Sequence, residues 1–129
     1  MTTVRPTVSH MTREARMVLR GSTLTHQFLR ARLTLLIALT LVVDAIGTVL
    51  MYWFEGGAKG SDFDDLGGAL FWVSAQLTTV SSQMPNPVTP AGRVLDVFLE
   101  LWAISVVATA AASIAAFFHA RHLEQSPSV

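Results

Sequence analysis

Three acids stand where acids are costly. Asp44, Asp96 and Glu100 lie inside long apolar stretches of the 129-residue chain. Ionisable groups in such stretches face protein or water and mark a pathway or an internal bond. Asp96 and Glu100 are four residues apart, on one face of a helix, and Arg93 lies three residues before Asp96. A second polar group is the run Thr78-Thr79-Val80-Ser81-Ser82-Gln83. A third comprises His26, His119, His122 and Glu124, where imidazoles titrate close to neutral pH. His119 and His122 have the spacing of a metal pair, but no third ligand is near, so no resident metal is expected. There is no cysteine, hence no disulfide, thiolate nucleophile or Cys-ligated metal. There is no Gly-rich phosphate loop and no Ser/His/Asp grouping outside the apolar stretches, so neither an enzyme nor a bound cofactor is expected.

The elements that must position these groups are read from hydropathy and charge. Only 14% of the residues are charged, against about a quarter in an ordinary soluble domain. Leu33–Phe54 is a 22-residue apolar run interrupted only by Asp44, and Val94–Phe118 is one of 25 residues with Asp96 and Glu100 near its start. At about 1.5 Å per residue each covers roughly 30 Å, the thickness of a bilayer core. A cleavable signal peptide is not expected, because the first run starts late and is too long. Residues 1–32 carry six Arg against the single acid Glu14, and Arg121 follows the second run. The positive-inside rule then puts both termini in the cytoplasm of a multi-pass plasma-membrane protein, with residues 55–93 outside. Tyr52, Trp53 and Phe54 fit an aromatic belt. Arg13, Arg16 and Arg20 share a helix face, so residues 13–32 suit an interfacial helix on anionic lipid, and nucleic acid is not an expected partner.

The segment between the runs is the informative one. Five glycines and four acids between Glu55 and Gly68 form an exposed loop. Ala69–Val80 is apolar but only about a dozen residues long, too short to span and too apolar for water, which is the profile of a re-entrant helix. Pro85 and Pro87 then forbid helix. Irregular backbone at membrane depth is tolerated only when buried in protein or lining a wet path. A span, a half-helix, an irregular loop and a second span therefore imply an aqueous pore built from several copies of a small chain.

Ala69-Leu70-Phe71-Trp72, Thr78-Thr79-Val80, Pro87-Val88-Thr89 and Gly92-Arg93 carry a resemblance. Together they resemble the two-transmembrane pore-loop potassium channels of bacteria, whose pattern reads Ala-Leu-Trp-Trp, Thr-Thr-Val-Gly-Tyr-Gly-Asp, Pro-Val-Thr and Gly-Arg. The register holds without gaps from Glu55 to Arg121, roughly half of the chain. The resemblance implies an all-α membrane protein, with two transmembrane helices flanking a re-entrant pore helix and filter loop, assembled as a homotetramer. Its parts would be a cytoplasmic basic segment (1–32), a channel domain (33–118) and a cytoplasmic tail (119–129). Within the channel domain it implies an outer helix (33–54), a pore helix (66–78), a filter (79–83) and an inner helix (94–118). The pore helices would aim their negative ends at a central cation.

The filter itself departs from the pattern. Thr-Val-Gly-Tyr-Gly is here Thr79-Val80-Ser81-Ser82-Gln83, Met84 replaces the following acid, and Ala75 replaces the Glu that pairs with that acid. Ser81 and Gln83 carry a Cβ, and holding them at glycine-only angles would cost about 1–2 kcal/mol each. The expectation is therefore a cation channel with weak or altered selectivity, passing K+ or Na+ with an ion held at Thr79 and Val80. By the resemblance Glu100 lies near Thr78 and supports the filter with Gln76. Ile104, Val107, Ala108 and Ala111 line an apolar cavity able to gate by dewetting. Ala103 replaces the family's hinge glycine. The family opens in acid through an ionisable network at the inner mouth, where His26, His119, His122 and Glu124 fall here. Protonation near pH 6 would make copies of these histidines repel. The alternative is a non-conducting pore-loop scaffold or regulatory membrane subunit.

Overall fold

In the computed structural model the described residues are 12, 13, 16, 24–79 and 84–125, and they are all-helical apart from the connections. Three helices follow one another: α1 (Leu24–Glu55), α2 (Leu66–Leu77) and α3 (Pro90–Gln125). α1 and α3 are long and apolar enough to cross a membrane, and α2 is a short apolar helix.

Both long helices overrun the apolar runs that mark them. α1 begins at Leu24 rather than Leu33, because no Gly or Pro interrupts the chain between Leu24 and Asp44. The basic turn through Arg30 and Arg32 is thus continuous with the apolar helix. Of the remainder of the expected 13–32 helix, residues 14, 15 and 17–23 lie outside the described residues. α3 starts at Pro90, whose missing N–H and fixed φ suit a first helical position, and Thr89 Oγ1 accepts from Gly92 N at 3.0 Å. α2 is capped by Asp65, whose carboxylate accepts from Gly68 N at 2.5 Å, and it ends one residue earlier than the sequence suggests, with Thr78 as its cap.

The chain divides into two compact units, both drawing on α1 and α3. The larger, Leu36–Thr109, contains α2. Its core is Met51, Phe63, Ala69, Trp72, Val73, Leu77 and Leu99, edged by Val43, Met84, Leu95 and Trp102. The Phe63 and Trp72 rings meet edge to face at 5.5 Å. Gly47 lets the helices approach: a Cβ there would stand 3.1 Å from Leu99 Cδ2 and 3.2 Å from Val73 Cγ1. Trp102 Nε1 donates to Thr40 Oγ1 at 3.3 Å. The opposite faces of both long helices are bare. Ile37, Leu41, Ile46, Val49 and Trp53 of α1 and Val94, Val97, Leu101, Ile104 and Val107 of α3 are all exposed. Apolar surface on this scale suits a membrane protein.

The smaller unit comprises the first turns of α1 and the last turns of α3. Leu29, Ser113 and Phe117 are buried there, and His26 is fully so, with its ring 5.0 Å from that of Phe117. Thr25 Oγ1 donates to Glu124 Oε1 at 3.0 Å, and Arg121 forms an ion pair with the other carboxylate oxygen at 3.1 Å.

Candidate functional site: the end of the short helix

α2 brings a polar turn into an apolar core. Ser74 and Gln76 are the two polar side chains of its second half, and each finds an acid on a different long helix. Ser74 Oγ donates to Asp44 Oδ2 at 2.9 Å, reaching α1. Gln76 Nε2 donates to Asp96 Oδ1 at 2.8 Å, reaching α3. Residues two apart lie about 200° apart around a helix, so the two bonds hold α2 from opposite sides. Burying a polar group without a partner is costly, and here each acid answers that cost for its partner.

The same turn is closed internally. Thr78 Oγ1 donates to Ser74 O at 2.9 Å and lies 3.1 Å from Ala75 O, while Thr78 N also reaches Ser74 O. Thr79 N donates to Gln76 O, with Thr79 at φ 58°, the only non-glycine residue with positive φ among the described residues. That is the position where a helix usually ends on glycine. A β-branched residue in the left-handed region costs about 1–2 kcal/mol. Both Thr78 and Thr79 are exposed. The remaining filter positions Val80, Ser81, Ser82 and Gln83 lie outside the described residues.

One expected pairing is replaced by another. Gln76 bonds Asp96, not Glu100, which is exposed one turn further along α3. The reason is register: Asp96 faces α2 beside the buried Leu99, and Glu100 is rotated about 100° from Leu99. The four cavity positions Ile104, Val107, Ala108 and Ala111 are exposed and share one face of α3, while Ala103 is buried. Of the four candidate pH-sensing residues, His26 is buried against Phe117, Glu124 pairs with Thr25 and Arg121, and His119 and His122 are exposed. Among the described residues no group of three or more His, Asp or Glu is placed to hold a metal ion.

Glu55, which the sequence reading placed in the exposed loop, is instead part of the interior. It is fully buried. Its carboxylate accepts from Val88 N at 2.9 Å, Thr89 N at 2.8 Å and Thr89 Oγ1 at 2.6 Å. A carboxylate only accepts, and these are three donors, two of them at the start of α3 where the helix dipole also favours an anion. Gly92 makes room for it: a Cβ there would collide with Glu55 Oε1 and stand 2.8 Å from Pro87 Cβ. The available signal was the Thr89-Pro90-x-Gly92 helix start, which needs an acceptor for its free amides and leaves space for one. Glu55 thus fixes where the excursion through α2 leaves α1 and rejoins α3.

No protein-family model matches the chain, and no curated protein is significantly similar to it in sequence.

Proposed function

We propose that the chain is a subunit of a tetrameric, potassium-channel-like cation pore in the plasma membrane, with weak or altered selectivity. The observation that carries this reading is a short apolar helix held between two span-length helices and ending on an exposed Thr78-Thr79 turn. α2 is too short to cross a bilayer and is bound to both neighbours by part-buried polar bonds, which suits a re-entrant helix. Its C-terminal end carries the partial negative charge that favours a cation. The bare α3 face through Ile104, Val107, Ala108 and Ala111 gives each subunit an apolar surface for the cavity and for its neighbours.

In this reading the permeating ion is K+ or Na+, held at Thr79 and Val80, and the wider polar mouth comes from Ser81, Ser82 and Gln83. The basic N-terminal segment sits on anionic lipid, both termini are cytoplasmic, and acid acting on His26, His119, His122 and Glu124 is the gating stimulus. Native mass spectrometry in detergent tests the assembly, with a fourfold mass expected. Purified protein in liposomes tests the activity: cation flux with a potassium-over-sodium permeability ratio below about ten is expected. A ratio well above ten overturns the altered selectivity. A tetramer that passes no ion at pH 7 or pH 5 overturns conduction and leaves the scaffold alternative.

A further inference from the structure

We propose that Asp44 and Asp96 are positioning residues that together set the end of α2, and through it the ion path; the second part rests on the channel reading above. Carboxylates in apolar helices persist where they are used, and these two have different partners on one helical turn. Ser74 and Gln76 face opposite sides of α2 and flank Ala75. The Asp44 bond at 2.9 Å restrains the turn from α1 and the Asp96 bond at 2.8 Å restrains it from α3. Either bond alone leaves the turn free to rotate about the point it holds, whereas the pair fixes both its rotation and its height.

The restrained turn is the one that ends the helix. Ser74 O and Ala75 O receive the Thr78 hydroxyl, and Gln76 O receives Thr79 N. Thr79 is held at φ 58° despite its branched side chain. A residue keeps such an angle only where its surroundings over-determine it, and strain of this kind gathers at functional sites. Side-chain bonds from two long helices to Ser74 and Gln76, in the last turn of α2, supply that determination. On the α1 side the clamp also has unused capacity. Asp44 Oδ1 and Thr48 Oγ1 are buried, one turn apart, without a hydrogen-bond partner among the described residues. That is a polar pair of the kind a single buried water bridges.

The experiment uses full-length protein in liposomes and compares Asp44→Ala, Asp96→Ala and the double variant with Asp44→Asn and Asp96→Asn. An asparagine keeps the acceptor oxygen that Ser74 or Gln76 needs, whereas alanine removes it. Two readouts are taken on tetramers of verified mass: the potassium-over-sodium permeability ratio, and amide exchange at Thr78 and Thr79. The expected results are a change of threefold or more in the ratio and at least tenfold faster exchange in the alanine variants. The double variant should fall short of the sum of the singles, and the asparagine variants should stay close to wild type. Unchanged exchange in both alanine variants overturns the clamp, as does an asparagine variant as impaired as the alanine one. Faster exchange with an unchanged ratio confines the clamp to α2 and overturns its role in the ion path. If wild-type protein passes no ion, the channel reading fails and the clamp is judged by exchange alone. Should an alanine variant not assemble, Ser74→Ala and Gln76→Leu remove the same bonds from the other side and are judged by the same criteria.

Discussion

Glu55 and the Asp44/Asp96 pair put the same chemical group to two uses. Glu55 is fully buried and receives three donors, two of them backbone amides that only a proline would remove. Asp44 and Asp96 are half-buried and receive one side-chain donor each. The first arrangement anchors the chain where α3 begins. The second holds a helix by contacts that can be broken one at a time. A carboxylate bound to backbone serves as a fixed point, and one bound to side chains serves as an adjustable stay.

Substitutions can break or sharpen this contrast. Glu55→Ala leaves three part-buried donors without their acceptor, and a loss of about 3 kcal/mol of stability is expected, read as an earlier transition in a thermal or detergent challenge. Gly92→Ala pushes a methyl group into Glu55 and Pro87, and about 2 kcal/mol is expected from overpacking, read by the same challenge. Asp44→Ala and Asp96→Ala should each cost only about 1 kcal/mol in that measurement. If either matches Glu55→Ala, the distinction between anchor and stay fails. Thr79→Gly relieves the left-handed backbone, and a gain of up to about 1 kcal/mol is expected in unfolding, the smallest effect of the series. A loss there would mean that the threonine side chain, and not the clamp, sets the turn.

Much of the architecture was legible because it rests on contiguous features. The two long helices follow from apolar runs, and the short one from its length and from the prolines beyond it. Their ends were less legible. Nothing in the hydropathy of Leu24–Arg32 marks it as continuous with α1, since helix persists there through the absence of breakers and not through apolar residues. The partners of the buried acids depend on rotation about the helix axis. Asp96 and Glu100 are one turn apart, and only the packing of Leu99 decides which of them meets Gln76. Glu55 was hidden by its neighbours, because an acid beside two glycines and ahead of three aspartates reads as solvated loop. Its burial depends on amides that lie 33 and 34 residues away.

That separation has a thermodynamic consequence. By joining residue 55 to residues 88 and 89, the Glu55 carboxylate ties the whole excursion through α2 into a closed ring, a non-covalent counterpart of a cross-link. The entropy of closing such a ring rises only slowly with its length, by about 0.6 kcal/mol for each doubling. Gly57 and Gly60 lie in the connection between α1 and α2, and a Cβ added at either would meet nothing within 4 Å. Residues inserted there would lengthen the ring without moving its ends. The loop can therefore be lengthened at this point while α2 still meets the same two aspartates.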